Sequence, residues 1–150
     1  MDNRSSESRS ALMSSIGGKN TKPELVIRKY LHSKGYRYRL HQTNLPSGSP
    51  DLVLKKYKTV IFINGCFWHG HNCSQGKIPK TKVEYWENKI AHNKKRDNKN
   101  YEKLLELGWN VLVIWGCRLR SYKRQTIVLS EILKTLDQIF DRTEASFISL

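Results

Sequence analysis

Cysteine and histidine residues are concentrated in one short segment, which runs from Cys66 to Cys73. The segment also contains His69 and His71, and the third cysteine of the chain, Cys117, lies far downstream. Zinc in structural sites is held by four thiolate or imidazole ligands in a tetrahedron. Three thiols and one imidazole complete such a set, so the sequence predicts a zinc site with His71 as the preferred imidazole and His69 as the alternative.

A histidine left free beside this cluster has a chemistry of its own. An imidazole takes a proton from water near neutral pH, so His69, if it is not a ligand, is a candidate general base. The competing interpretation of the cysteines is that they pack in the core as small apolar side chains. Four protein ligands leave no open position on zinc, which favours a structural metal over a catalytic one.

Two carboxylates form the second group of residues with chemical potential. Asp51 follows Pro50 at the start of a predicted hairpin, and Glu24 lies in the first predicted helix. Carboxylate oxygens are the ligands that Mg²⁺ prefers, so two carboxylates brought together by the fold form a magnesium site. Each acid taken alone is better explained as a helix cap or a surface charge, so this interpretation depends on their proximity.

Hydrophobic periodicity predicts the elements that must position these groups. Their order is α-β-β-β-α-β-α, which indicates an α/β fold with a mixed sheet flanked by helices. The predicted elements are a helix at 21–34, strands at 36–41, 51–54 and 59–63, a helix at 81–107, a strand at 109–115 and a helix at 123–140. Residues 1–20 are expected to form a flexible arm with a short helix near 11–16, residues 21–140 a single domain, and residues 141–150 an irregular tail.

Two local patterns connect these elements to the chemistry. Thr81 to Glu84 matches a capping box, so the long polar helix is expected to begin there. Residues 109–115 form a continuous apolar run typical of a strand buried on both faces. Cys66 and Cys117 each follow a predicted strand, so both thiols emerge at the same end of the sheet if those strands are neighbours.

The chain is strongly basic, with 27 Lys and Arg against 13 Asp and Glu and a formal net charge of +14. Most of the excess lies in residues 1–100, which favours a polyanionic partner, nucleic acid first and an anionic membrane surface second. Lysine-rich helix faces that only solvate the protein are the alternative. The sequence has neither a long apolar run nor an apolar signal core, so we expect a cytoplasmic protein that does not enter a membrane.

Taken together, these motifs resemble the very short patch repair endonucleases over about residues 9–140. The matching residues are Thr21, Glu24, Leu45-Pro46, Ser49-Pro50-Asp51, Val60-Ile61-Phe62, Gly65-Cys66-Phe67-Trp68-His69, His71, Cys73, Trp86, Asp97, Leu107-Gly108-Trp109 and Cys117. The resemblance implies a restriction-endonuclease-like PD-(D/E)xK fold with a structural zinc. It also implies a Mg²⁺-dependent endonuclease that nicks double-stranded DNA 5′ of the T in a T:G mismatch left by deamination of 5-methylcytosine.

The resemblance also implies the roles of individual residues. Asp51 and the backbone carbonyl of Ile63 would hold Mg²⁺, and Glu24 would hold metal-bound water. His69 would be the general base, with Asp97 orienting it. The implied zinc ligands are Cys66, His71, Cys73 and Cys117, and the implied side chains that wedge into DNA are Phe67, Trp68, Trp86, Met13 and Ile16.

One position departs from the family pattern. Many members have a histidine immediately before the Gly-Cys pair, where this chain has Asn64. An amide cannot accept a proton but can donate a hydrogen bond to phosphate, so Asn64 is kept as a catalytic candidate and more of the proton transfer is expected of His69.

The function predicted from the sequence has two alternatives. One is a restriction-type DNA endonuclease of the same superfamily, and the other is a zinc-bearing DNA-binding module with weak chemistry. For the leading prediction we expect a monomer in the bacterial cytoplasm, associated with the nucleoid. Mismatch-repair proteins and a cognate cytosine methyltransferase are its expected partners.

Overall fold

A computed structural model describes residues 20–42, 45, 48–141 and 144–150. The predicted N-terminal arm, with Met13 and Ile16, lies outside the described residues. In the described part, three helices flank one sheet of five strands, so the chain has a mixed α/β fold. The helices are α1 (Lys22–Ser33), α2 (Val83–Glu106) and α3 (Tyr122–Phe140), and the strands are β1 (Arg39–Leu40), β2 (Leu52–Leu54), β3 (Thr59–Asn64), β4 (Asn110–Trp115) and β5 (Phe147–Ser149).

The strands lie side by side in their chain order. The strands β1, β2 and β3 pair antiparallel, whereas β3 with β4 and β4 with β5 pair parallel. The predicted hairpin is present, since β2 and β3 are joined by the short turn Lys55–Tyr57 and by Lys58 in the left-handed conformation. A parallel pair needs a long connection, and α2 lies in the one between β3 and β4.

The sheet is buried on both faces, which explains the continuous apolar runs of β3 and β4. Neighbouring residues of β3 point to opposite sides, Ile61 into one apolar cluster and Val60 and Phe62 into the other. The first cluster includes Ile27 of α1 and residues of α3, and the second includes residues of α2. The ends of β2 and β3 are therefore held between α1 on one face and α2 on the other.

The start of α2 differs from the predicted capping box. The helix begins at Val83, and its N-cap is Lys82 in the left-handed conformation, with φ of 52° and no side-chain cap. A capping box needs an extended residue with a short hydroxyl side chain at the N-cap, so the prediction for Thr81 was wrong. By contrast, Thr21 Oγ1 does accept from the backbone N–H of Glu24 at 3.4 Å at the start of α1.

The C-terminal residues also differ from the prediction of an irregular tail. Phe147–Ser149 form β5, which extends the sheet beyond β4. Three residues are too few to show a periodic pattern, and their partner strand lies far away in the sequence, so the strand is visible only in the fold. No helix in the described ranges is long and apolar enough to cross a membrane.

Candidate active site and metal-binding loop

The two carboxylates singled out in the sequence lie together at one edge of the sheet. Asp51 stands just before β2, and its Oδ2 accepts a hydrogen bond from the backbone N–H of Ile63 on β3 at 2.7 Å. Glu24 reaches the same place from α1 and is only 1% exposed. Carboxylate oxygens of these two residues and a ring nitrogen of His41 lie within 4.8 Å of one another. The fold thus places Asp51 and Glu24 close together, which is the condition that the predicted magnesium site required.

The pKa values of the two carboxyl groups move in opposite directions. Burial raises the pKa of Asp51 to about 6, and the nearby Glu24 adds to the rise, while the Ile63 N–H opposes it. Burial also disfavours the charge of Glu24, but hydrogen bonds from His41 and Arg28 outweigh burial and lower its pKa. Glu24 is therefore held as an anion, whereas the surroundings of Asp51 disfavour its charged form.

The sequence analysis missed His41. Its Nε2 lies 2.7 Å from Glu24 Oε1, on the opposite carboxylate oxygen from Arg28, whose Nη1 is 3.0 Å from Oε2. In the sequence, His41 is the last residue of a predicted strand in which aromatic or apolar residues alternate with basic ones. Such a pattern is common on protein surfaces and does not indicate a functional residue. Only the position of α1 beside the strand shows its contact with Glu24.

His69 and Asp97 form the second catalytic pair predicted from the resemblance, and the structure brings them together. His69 lies in the loop after β3, and its Nδ1 is 2.5 Å from Asp97 Oδ2 on α2. Arg96 Nη2 contacts the other oxygen of Asp97 at 3.3 Å. Burial opposes ionisation of Asp97, but His69 and Arg96 outweigh it and lower the pKa. With Nδ1 held by a carboxylate, Nε2 is the ring nitrogen left to exchange a proton.

A single cavity of about 380 Å³ joins these groups. Asp51, Ile63, His69 and Asp97 line it, together with Asn64 and Arg96. The Asn64 side chain is 4% exposed, and its Nδ2 donates to Tyr101 Oη at 2.9 Å. Its amide nitrogen is thus engaged with α2, so this departure from the family pattern ties β3 to the helix.

The cysteine and histidine residues form a compact cluster at the other side of the loop. Ligand atoms of Cys66, His71, Cys73 and Cys117 lie within 4.8 Å of one another. Cys117 Sγ is 3.6 Å from His71 Nδ1, and the Cys117 backbone N–H donates to Cys66 Sγ at 3.3 Å. Three thiols and an imidazole are a donor set that suits zinc. His69 faces Asp97 instead, so of the two imidazoles the fold places His71 in the cluster.

The loop around this cluster is shaped by close backbone contacts. His71 N–H donates to the Cys66 carbonyl at 2.9 Å, and a Cβ on Gly76 would lie 1.9 Å from the carbonyl oxygen of His71. The Trp115 ring stacks on the His71 ring with centroids 4.2 Å apart and planes 11° apart. Burial raises the pKa of the Cys66 thiol to about 12.

The aromatic residues predicted to wedge into DNA form one cluster beside the loop. Ring centroids of Phe67 and Trp68 are 5.0 Å apart, and Trp86 lies 5.2 Å and 5.9 Å from them. Trp68 is 38% exposed. Tyr85, which the sequence analysis did not single out, is 58% exposed and lies edge-on to Trp86 at 5.0 Å. Exposed aromatic clusters of this kind mark binding surfaces.

Comparisons with known sequences and structures show which proteins this chain is similar to. The family model described as DNA mismatch endonuclease Vsr matches residues 1–75. The Type II nicking enzyme V.XorIIP of Xanthomonas oryzae is 47% identical over 79% of this chain and 86% of its own length. The DNA mismatch endonuclease Vsr of Escherichia coli is 41% identical over 79% of this chain and 75% of its own length.

A solved structure extends the comparison to the fold. The chain is similar to the Homing Endonuclease I-Bth0305I Catalytic Domain, with a TM-score of 0.56 and 20% identity. The match covers 81% of this chain and 100% of that domain. Sequence identity and family model both point to one conclusion: this chain belongs to the Vsr family of DNA endonucleases.

Proposed function

We propose that this endonuclease nicks the T-containing strand of double-stranded DNA 5′ of a T:G mismatch and so initiates very short patch repair. The observation that carries the proposal is the single cavity that joins Asp51, Ile63 and the His69–Asp97 pair. The relative from Escherichia coli is named a mismatch endonuclease, and the others are named nicking enzymes. The likeness to a homing endonuclease domain supports a PD-(D/E)xK version of the fold.

The residues at the edge of the sheet fit Mg²⁺. Asp51 and the Ile63 carbonyl would hold the ion, with Glu24 beside them, and all of these ligands are oxygens. Bound Mg²⁺ stabilises negative charge on the phosphate and on its leaving oxygen. Burial beside Glu24 raises the pKa of Asp51, and a cation bound there would favour the charged form of both carboxyl groups.

Proton transfer falls to His69 in this proposal. Asp97 holds Nδ1, which orients the ring and stabilises the positive charge that it gains when Nε2 takes a proton from the attacking water. The Asn64 amide cannot accept that proton, and its nitrogen donates to Tyr101. Asn64 therefore acts by keeping the end of β3 against α2, which fixes one wall of the cavity.

Recognition of the mismatch is assigned to the aromatic cluster. Opening a base step costs a few kcal/mol and costs least at a mismatch. Stacking of bases on aromatic rings returns about 1–3 kcal/mol per base. Phe67, Trp68 and Trp86 are already grouped, so the wedge is pre-organised, and Tyr85 enlarges it. Met13 and Ile16 would press in from the N-terminal side.

Zinc bound by Cys66, His71, Cys73 and Cys117 would be structural. The cluster joins the loop after β3 to the turn after β4, so the bound ion would fix the loop that carries both His69 and the wedge. The bacterial relatives support a place in the bacterial cytoplasm, on the nucleoid. A monomer suffices for a single nick, and the mismatch itself implies a cytosine methyltransferase in the same cell.

A second function is favoured by the names of the relatives. Several are Type II nicking enzymes, so a sequence-specific nicking or restriction-type activity on matched DNA is the main alternative. A catalytically weak DNA-binding module is the other. Purified protein with Mg²⁺ and paired duplexes, one matched and one carrying a single T:G pair, distinguishes all three.

Asp51→Ala removes the carboxylate proposed to bind Mg²⁺, and its activity is measured on both duplexes. Wild-type protein should nick the T strand of the mismatched duplex only. Asp51→Ala should lower the single-turnover rate by at least about 10³-fold, because metal-ion stabilisation of the transition state is worth several kcal/mol. Its affinity for the mismatched duplex should change little.

Asp141→Ala is the matched control, since Asp141 is an exposed carboxylate at the end of α3. It should nick at the wild-type rate. Wild-type rates for Asp51→Ala would overturn the metal assignment. Equal cutting of matched and mismatched DNA by the wild type would overturn mismatch specificity in favour of the restriction-type alternative.

A further inference from the structure

His41 contacts both candidate acidic residues of the active site. Its backbone N–H donates to the carbonyl oxygen of Asp51 at 3.1 Å, which continues the pairing of β1 with β2. Its side chain reaches the other way, with Nε2 2.7 Å from Glu24 Oε1. The two acids belong to different elements, α1 and the start of β2, so His41 links those elements at the site.

The backbone of His41 supports a specific role. Its φ is 45°, in the left-handed region that residues with side chains rarely adopt. Such conformations persist where the surrounding structure over-determines them, and they cluster at functional sites. Here two hydrogen bonds, one from the backbone N–H and one from the ring, hold His41 in this conformation.

Glu24 needs an oriented partner because of where it lies. Its carboxylate is buried beside Asp51, and two like charges in a buried site repel each other. Arg28 and the backbone N–H of Asn20, at 3.0 Å and 3.2 Å, both contact Oε2. The His41 ring contacts the remaining oxygen, Oε1, and so determines how the carboxylate plane is turned.

We infer that His41 is a positioning residue, which holds Glu24 in register with Asp51 so that both carboxylates meet the catalytic metal and its water. The inference rests on the proposed function of the site. It assigns His41 no direct contact with DNA and no exchange of protons. Hydrogen-bonded partners of this kind typically change metal affinity or activity by about 10- to 100-fold when they are removed.

The first test is single-turnover nicking of a T:G duplex at several Mg²⁺ concentrations. His41→Ala should be slower than wild type by about 10- to 100-fold, with unchanged DNA affinity. His41→Gln should recover most of the rate, because its amide N–H₂ can donate to Glu24 Oε1. His32→Ala is the matched control, since His32 is an exposed histidine of α1, and it should nick like the wild type.

A double-mutant cycle shows whether His41 acts through Glu24. The His41→Ala change should have no further effect in a Glu24→Ala background, because the interaction that it removes is already lost. Independent roles would instead multiply the two losses. Thermal unfolding of every variant shows that each one is folded at the assay temperature.

A readout independent of activity is the ring N–H signal of His41 in proton NMR of the protein without Mg²⁺. A ring proton held by a carboxylate should appear far downfield and should vanish in Glu24→Ala, which leaves it no acceptor. Absence of that signal, wild-type nicking by His41→Ala, or fully multiplicative losses would each overturn the inference. A wild type that shows the signal but does not nick would overturn the proposed function and leave the contact with Glu24 standing.

Discussion

Asp51 illustrates how a candidate metal ligand destabilises the fold that holds it. The carboxylate is buried and close to Glu24, and the backbone N–H of Ile63 compensates only in part, so its pKa rises to about 6. A group whose pKa rises on folding binds its proton more tightly in the folded chain. Asp51 therefore does not lower the free energy of unfolding at acid pH. It lowers that free energy progressively as the pH rises from about 4 through about 6.

Replacing this carboxylate by its amide should stabilise the metal-free protein. We expect Asp51→Asn to raise the free energy of unfolding at pH 7 by about 1–3 kcal/mol, because the amide keeps an acceptor for the Ile63 N–H without the charge. The difference should vanish below about pH 4, where Asp51 is protonated in both states. Urea unfolding between pH 4 and 8 without Mg²⁺ measures it.

Glu102→Gln is the control, since Glu102 is an exposed carboxylate on α2. It should leave the pH dependence unchanged. A lower stability of Asp51→Asn at pH 7 would mean that the charge of Asp51 is already compensated in the folded chain.

Residue identity predicted much of the site before the fold was known. The motifs named the carboxylates, His69 and the four residues of the metal cluster, and the fold brings those residues together. Position in the sequence only favoured His71 over His69 as a ligand, because the choice depends on which ring faces Asp97. His41 could not be found at all, because its contact depends on how α1 lies against the sheet.

At the scale of elements, the parallel pairing of β3 and β4 positions the cluster of three cysteines and His71. Cys66 follows β3 and Cys117 follows β4, so both thiols leave the sheet at the same end. Trp115, the last residue of β4, stacks on His71 and donates from Nε1 to Ser149 Oγ of β5 at 2.8 Å. The C-terminal strand thus supports a ligand of the proposed zinc through one tryptophan.

Removing that tryptophan should loosen the metal. The protein should copurify with zinc, and Trp115→Leu should lose it to a chelator about tenfold faster, because the His71 ring is no longer held in place. Elemental analysis and a colorimetric chelator assay measure content and release. Trp109→Leu, just before the other end of β4, is the matched control and should release zinc at the wild-type rate.

Equal release from the two tryptophan variants would show that stacking on His71 does not hold the ligand. Zinc content that persists in Cys117→Ser would go further and exclude that thiol from the ligand set.

The elements that the sequence failed to predict share a physical cause. The helices and β2, β3 and β4 have periodic or continuous apolar patterns that local sequence reveals. The strand β5 is short and obtains its pairing from β4, and the left-handed Lys82 that begins α2 is set by how the preceding loop arrives. Both are consequences of tertiary contacts, which neither propensity nor capping patterns contain.

For the whole molecule, the proposed function gives the net charge of +14 and the aromatic cluster separate tasks. Positive charge attracts any duplex by releasing counterions from the phosphates, and it carries no sequence information. The proposed wedge would meet the bases and distinguish a weak step from a paired one. Affinity and discrimination should therefore respond differently to salt.

We expect salt to weaken binding without changing selectivity. For six to ten phosphate contacts, affinity should fall by about 10³- to 10⁵-fold between about 50 and 200 mM salt. The ratio of affinities for T:G and matched duplexes should stay within about threefold over that range. Fluorescence anisotropy with Asp51→Ala measures both without cleavage. If the ratio of affinities for T:G and matched duplexes instead fell together with the affinity, the basic residues and not the aromatic wedge would distinguish the two duplexes.

The connection between β3 and β4 has a consequence for how the chain folds. These neighbouring strands are separated by residues 65–109, and closing so long a segment costs conformational entropy before strand contacts compensate for it. Cys66 lies at the start of that segment and Cys117 lies just after β4, and the Cys117 N–H donates to the Cys66 sulfur. An unfolded chain whose two thiols share one ion begins with its longest loop already closed. Zinc supply would then govern how quickly the domain assembles as well as how firmly it holds together.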